Sequence, residues 1–263
     1  MTRNGRKAFC LALALVVLGA PASAQSVDET AAMLNEKVFH VDRAQSDASD
    51  NNAGSAEKPL ASIGKGVELA LAANRRGEPA RVVVHAGIYR EQVNLHGSPS
   101  ATDSPMVIEG AGDGATVISG ADVWSGWTKT SSDVYSHHWG FDWGLTALPE
   151  GWDSVQSVQD NPLLRRREMV FVNGRLLRQV DSRDAVAARR GSFYVSEADN
   201  TIFVSPPPGA TLESSRVEVS VRPQTFVVGT KNNVTLKGFT FRHANTPLQN
   251  TRFRLPTRPT STS

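Results

Sequence analysis

Val82-Val83-Val84, Ala86-Gly87-Ile88-Tyr89-Arg90-Glu91 and Pro105-Met106-Val107-Ile108-Glu109-Gly110 decide the architecture of this chain. Two short β-branched, apolar runs flank a turn, and runs of this length bounded by Gly or Pro predict strands. Working outward, the same signature predicts strands at Val38–Val41, Arg81–His85, Glu91–Leu95, Met106–Glu109, Thr116–Ser119, Met169–Val172 and Arg175–Val180. It continues at Phe193–Val195, Thr201–Val204, Val217–Val221, Thr225–Val228, Val234–Lys237 and Phe239–Arg242. Asn173-Gly174 marks a tight hairpin turn between two of them. Upstream, Leu60, Ile63, Val67, Leu69, Ala70 and Leu71 recur at roughly helical spacing. Pro59 suits a first helical turn and Gly77 a stop, so a helix is predicted over Pro59–Arg76. The reading is an all-β chain with one helix near its start.

Composition narrows the class. The chain has 263 residues, 40% hydrophobic and 21% charged, which is globular. Its net charge of +2 is too small to make nucleic acid the default partner. Arg3, Arg6 and Lys7 precede an apolar run from Ala8 to Ala20, then Pro21 and Ala22-Ser23-Ala24. That order is a secretory signal, and the run is too short to span a bilayer. Cleavage after Ala24 removes three basic residues and leaves 25 basic against 26 acidic ones. It also removes Cys10, the sole cysteine, which lies inside the apolar run and not at a lipid-anchoring position. A secreted or periplasmic monomer without disulfides or a membrane span is therefore expected.

Residues 38–120 resemble the N-terminal part of the right-handed parallel β-helix proteins, the pectin-lyase-like superfamily. Val41-Asp42, the loop Ser46-Asp47-Ala48-Ser49-Asp50-Asn51-Asn52-Ala53-Gly54 and the helix beginning Pro59-Leu60-Ala61-Ser62-Ile63 carry the resemblance. The Gly87-Ile88-Tyr89-Arg90-Glu91 turn between two strands completes it. Arg167-Glu168-Met169-Val170-Phe171-Val172-Asn173-Gly174 is similar to a β-insert interrupting the early coils. Asn233-Val234-Thr235-Leu236-Lys237-Gly238-Phe239-Thr240-Phe241 is similar to a return to the coil. The resemblance implies stacked coils capped by the Pro59–Arg76 helix, because one turn alone cannot bury its apolar face. It also implies a polysaccharide partner, with acidic polysaccharides among the alternatives.

Candidate site residues follow from chemistry. Asp47 and Asp50, with Asn51 and Asn52, supply hard oxygens suited to Ca²⁺, while Asp/Asn/Gly loops are also ordinary turns. All five tryptophans, Trp124, Trp127, Trp139, Trp143 and Trp152, fall between Asp122 and Asn161. That segment has little periodicity and reads as a long structured excursion. Trp139 and Trp143 are candidates for stacking on sugar, against the alternative that they anchor the excursion. Arg90 is a candidate for holding an acidic sugar, against a structural ion pair. His137-His138 with Asp142 lacks metal-ligand spacing, since adjacent histidines point apart in a strand. His243 follows the last predicted strand.

Five segments result: an export signal at 1–24, a cap with first coils at 25–120, an aromatic-rich β-hairpin insert at 121–216, a resumed coil at 217–250 and an irregular tail at 251–263. From Thr251 to Ser263 there are three arginines and no acidic residue, where the resemblance calls for more coils. This reads as a truncated or frameshifted product or an incomplete gene model, with a natural flexible tail as the alternative. The expected function is polysaccharide processing, by a lyase or glycoside hydrolase in full-length form. The alternatives are a carbohydrate-binding or surface-structural β-helix, or an inactive fragment.

Overall fold

The structure, a computed structural model, describes residues 35–97, 104–131, 133–148, 151–152, 155–229 and 231–246. The chain divides into two units, residues 1–35 and 36–263, and the elements below belong to the second. The export signal expected at 1–24 and the tail expected at 251–263 lie outside the described residues.

The first stretch runs β1 (Lys37–Val41), α1 (Ile63–Arg75), β2 (Ala80–Val84), β3 (Gly87–Tyr89), β4 (Val93–Leu95), β5 (Met106–Gly110) and β6 (Thr116–Ser119). An insert follows with β7 (Ala121–Trp124), β8 (Thr128–Lys129), β9 (Tyr135–His138), α2 (Gln156–Gln159), β10 (Val170–Val172), β11 (Arg175–Leu176) and β12 (Arg178–Gln179). It continues through α3 (Arg183–Ala188), β13 (Ser192–Ser196), β14 (Thr201–Ser205) and β15 (Val217–Ser220). The chain then resumes with β16 (Phe226–Val228), β17 (Val234–Lys237) and β18 (Thr240–Arg242).

Outside the insert every pairing among the described residues is parallel. One sheet has the order β1-β2-β5-β17, a second β18-β6-β3 and a third β16-β4. Followed along the chain, β2, β3 and β4 enter the first, second and third sheets in turn. The next visit is β5 and β6, and after the insert come β16, β17 and β18 in the same rotation. The register stacks like on like, placing Val82 beside Phe39 and Ile108, with Leu236 beyond Ile108. Ala80, Val82, Val84, Met106 and Ile108 are fully buried in this core, each large one contributing about 1.5–3 kcal/mol. The opposite face of β2 and β5 carries charge: Arg81 bonds Glu36 at 2.9 Å and Glu109 at 3.0 Å, and Lys237 reaches Glu109 at 2.8 Å. Gly110 and Gly238 let the ends of the neighbouring strands β5 and β17 approach closely. A Cβ on either would lie 2.4 Å from the other's carbonyl oxygen.

Helix α1 starts later than the sequence predicts. Leu60 forms a parallel bridge with Val41, so the strand-like conformation persists past Pro59. Ser62 then caps the helix, its Oγ accepting from the Lys65 N–H at 3.2 Å. Ile63, Gly66, Val67, Ala70, Leu71, Ala73 and Asn74 form the buried stripe. Gly66 permits the close approach, because a Cβ there would meet Val82 Cγ1 at 2.8 Å.

The predicted turn at residues 87–91 is partly a strand, β3, and its side chains tie the parts together. Tyr89 Oη donates to the carbonyls of Val41 at 3.2 Å and His85 at 3.1 Å. Burial pushes its phenol up to about 12. Glu91 receives the Ile63 and Gly64 N–H groups at 3.0 and 2.9 Å, capping the N-terminus of α1.

The insert consists of two sheets that share a core. One is antiparallel, in the order β11-β10-β15-β7; the other runs β12-β13-β14-β9-β8, antiparallel except for β12 beside β13. Val170, Val172, Phe193, Ile202, Val204, Val217, Val219 and Trp139 fill the core. The Asn173-Gly174 hairpin forms as predicted, with φ of 51° and 79°. The tryptophan segment holds three strands, β7 to β9, that its weak periodicity does not announce. Val217–Ser220, read from sequence with the resumed coil, pairs with β7 and β10 of the insert.

Candidate functional site

The insert leaves and rejoins the parallel sheets through β7 and β15, paired with Ala121 opposite Ser220 and Val123 opposite Glu218. On the far side of β15, Phe171 stands opposite Glu218. Strand alternation therefore places Glu218 and Phe171 on the face turned away from Val217 and Val219, which lie in the insert core. Against that face come Arg90, from just after β3, and His243, from just after β18. The junction is thus assembled from segments far apart in sequence: Arg90 bonds a carboxylate 128 residues away.

Glu218 is fully buried. Arg90 Nη2 donates to its Oε1 at 2.7 Å, and Arg90 Nη1 donates to the Ala121 carbonyl at 2.6 Å. Arg216 Nε lies 3.4 Å from Glu218 Oε2. Burial alone would raise the Glu218 pKa, but the Arg90 bond and the charges of Arg90 and Arg216 outweigh it and hold the carboxyl below its usual range. The His243 ring stacks on Phe171, with centroids 3.8 Å apart and planes at 20°. Burial and the Arg242 charge push His243 down, opposed by Glu218. At neutral pH the site thus offers an ionised carboxylate beside an uncharged imidazole.

The backbone here is tightly set. His243 has φ of 60°, and a Cβ on Gly120 would lie 2.6 Å from the His243 carbonyl oxygen. The Asn245 N–H donates to the Arg222 carbonyl at 3.0 Å, and its Nδ2 donates to the Ser220 carbonyl at 3.2 Å. Arg222 clasps Asp122 through both nitrogens at 2.7 and 3.2 Å. Among the described residues, Glu218 Oε2, Ser220 Oγ, His243 Nδ1, Arg242 Nε and Asn245 Oδ1 are buried without a hydrogen-bond partner. A concentration of such atoms is unusual in a structural interface, where buried polar groups are paired. These atoms are shielded from solvent, and the half-exposed Arg216 is a polar group of the junction that reaches it.

The residues singled out from sequence are scattered. Arg90 lies at the junction, but its guanidinium faces inward to Glu218 and Ala121. Trp139 is fully buried, its ring packed by Trp124, Phe141 and Trp143. It therefore offers no open face for sugar and serves the insert core. Trp143 stacks on Phe141 at 4.6 Å, and Arg167 lies over its ring at 4.2 Å. Asp47 pairs with Lys58 at 2.6 Å. Asp50 accepts from the Ala61 and Ser62 N–H groups and from Ser62 Oγ, fixing the loop that leads into α1. Among the described residues no three His, Cys, Asp or Glu side chains are placed to share a metal. His137 and His138 point to opposite faces, pairing with Ile202 and Thr201 respectively. Phe171, Glu218, Ser220 and Asn245 are not legible as site residues. A lone Glu alternating with valines in 217–221 reads as a solvated strand face.

Neither a scan of protein-family models nor a search of curated proteins finds a match. Among solved structures the chain is similar to the complex structure of XylC with xylose, with a TM-score of 0.59 and 20% identity over 80% of this chain and 36% of that one. It is also similar to a glycoside hydrolase, with a TM-score of 0.51 and 13% identity over 80% of this chain and 51% of that one. At these identities the likeness is one of fold. The chain spans about a third and about half of those structures' lengths.

Proposed function

We propose that residues 36–246 are the front of a right-handed parallel β-helix in an exported polysaccharide-processing protein. In this reading the junction around Glu218 and His243 contacts the sugar chain. The observation that carries it is the repeated visit of the chain to three parallel sheets in one rotation, interrupted by a β-insert. Parallel crossovers within a sheet are right-handed in nearly every case. The likeness to XylC with xylose and to a glycoside hydrolase supports carbohydrate as the ligand class, and the signal-like residues 3–24 support export.

The junction suits recognition better than bond cleavage. Glycoside hydrolysis ordinarily uses two carboxylates flanking the scissile bond. Here Glu218 is committed to Arg90 and Asp122 to Arg222. We therefore assign cleavage, by hydrolysis or elimination, to further coils in a longer protein, and binding to the part described. The test is incubation of the full chain with neutral and acidic polysaccharides. Retention without new reducing or unsaturated ends is expected. New ends that survive Arg216→Ala with His243→Ala would place cleavage elsewhere in this chain, and the absence of both retention and cleavage would refute the proposal.

A further inference from the structure

We infer that the outer end of the insert carries a second saccharide site, selective for uncharged sugar. A depression of about 430 Å³ opens there, lined by Gly126, Thr128, Ser136, His137, His138, Asp199, Asn200 and Thr201. That volume falls within the range of about 300–1,000 Å³ typical of small-ligand sites.

Register explains the polar lining. Thr128 pairs with Ser136, and His138 pairs with Thr201, so these four side chains occupy two neighbouring rungs of one sheet face. The hairpin turn from β13 to β14 adds Asp199 and Asn200 at the rim, with Asn200 at φ of 49°. Asp199 is held in place by the Ser196 hydroxyl at 2.7 Å, and its carbonyl accepts from Thr201 Oγ1 at 2.8 Å. Thr128, Ser136, His138 and Asn200 give this lining two hydroxyls, an imidazole and an amide.

Behind the depression lies an aromatic cluster. The His137 ring lies 4.7 Å from Trp124 and 5.2 Å from Trp127, and Trp127 Nε1 donates to the Trp124 carbonyl at 3.2 Å. Hydroxyls, an amide, an imidazole and a carboxylate match the alternating donors and acceptors of a sugar. Among the described residues the lining contains no Lys or Arg, and Asp199 disfavours a uronate. Uncharged saccharide is therefore the ligand class, whatever the junction binds.

The probes are xylotetraose, cellotetraose and trigalacturonic acid, titrated into the full chain by calorimetry. Saturable binding of a neutral probe is expected, and any binding of trigalacturonic acid should be indifferent to the double variant below. His138→Ala combined with Thr128→Val removes two hydrogen-bonding groups and should weaken binding about tenfold or more. Both positions are exposed, so the melting temperature should hold. Asp199→Asn should admit the acidic probe. Neutral binding lost in Arg216→Ala but kept in the double variant would belong to the junction and overturn the inference. Absence of neutral binding by the unmutated chain, or binding indifferent to the double variant, would overturn the inference.

Discussion

Arg90→Ala should destabilise the junction in a pH-dependent way. The Arg90 side chain is 17% exposed and Glu218 is 0% exposed, so the variant leaves a buried carboxylate without its hydrogen-bonded partner. Breaking such a pair costs about 3–5 kcal/mol. Arg216 at 3.4 Å offsets part of this, although at 52% exposure its charge is well screened. A loss of about 3 kcal/mol is the working figure, or a fall of roughly 6–12 °C in melting temperature for a chain of this size. In the unmutated protein Glu218 is held below its usual range, so its contribution is present above the ordinary carboxylate pKa and fades as pH falls through the depressed value. In the variant burial dominates and raises the Glu218 pKa, so acidification neutralises the stranded charge. Circular-dichroism melts should therefore show a gap that narrows between about pH 7 and about pH 4. The double variant Arg90→Met with Glu218→Leu should recover most of the loss. A gap of equal size at both pH values, or no gap at all, would refute the reasoning.

Glu91→Ala should cost about 1–3 kcal/mol by leaving two α1 N–H groups uncapped, and Glu91→Gln should cost less because its amide oxygen still accepts; urea melts compare them. Gly110→Ala places a methyl where the Gly238 carbonyl lies 2.4 Å away, and should cost about 1–3 kcal/mol, with faster amide exchange in 234–242 than elsewhere. His40 is held below 6.5 by burial and by the neighbouring His85, with Glu57 opposing. The unfolded chain therefore binds the His40 proton more tightly, and stability falls as pH drops through that range. His40→Gln should flatten this slope in melts across the same window.

The strand-forming segments were legible where β-branched runs met Gly or Pro, as at Val82–Val84 and Met106–Gly110. Burial requires those residues to alternate or cluster, and turns require particular backbone conformations. The three strands of the tryptophan segment were not legible. Their aromatic residues satisfy packing between two sheets without leaving a period of two in the sequence. The hydrogen bonds around Ser62 and Glu91 likewise fix the start of α1, and one partner, Glu91, comes from the bend between β3 and β4. The junction was the least legible part. Arg90 and His243 drew notice as charged or titratable residues, but Glu218 acquires its meaning only when folding brings Arg90 and Phe171 to it. Trp139 shows the converse, since a residue type suited to sugar stacking is consumed by the core.

Hydrogen exchange of the full chain, with and without a soluble fragment of a polysaccharide that retains it, tests the central claim most directly. Slowed exchange in 216–222 and 240–246 is the predicted result, because these segments carry Glu218, Ser220, His243 and Asn245. Protection confined to 126–138 and 199–201 would support only the insert site. Protection in neither region, or no polysaccharide that retains the chain, would contradict the account.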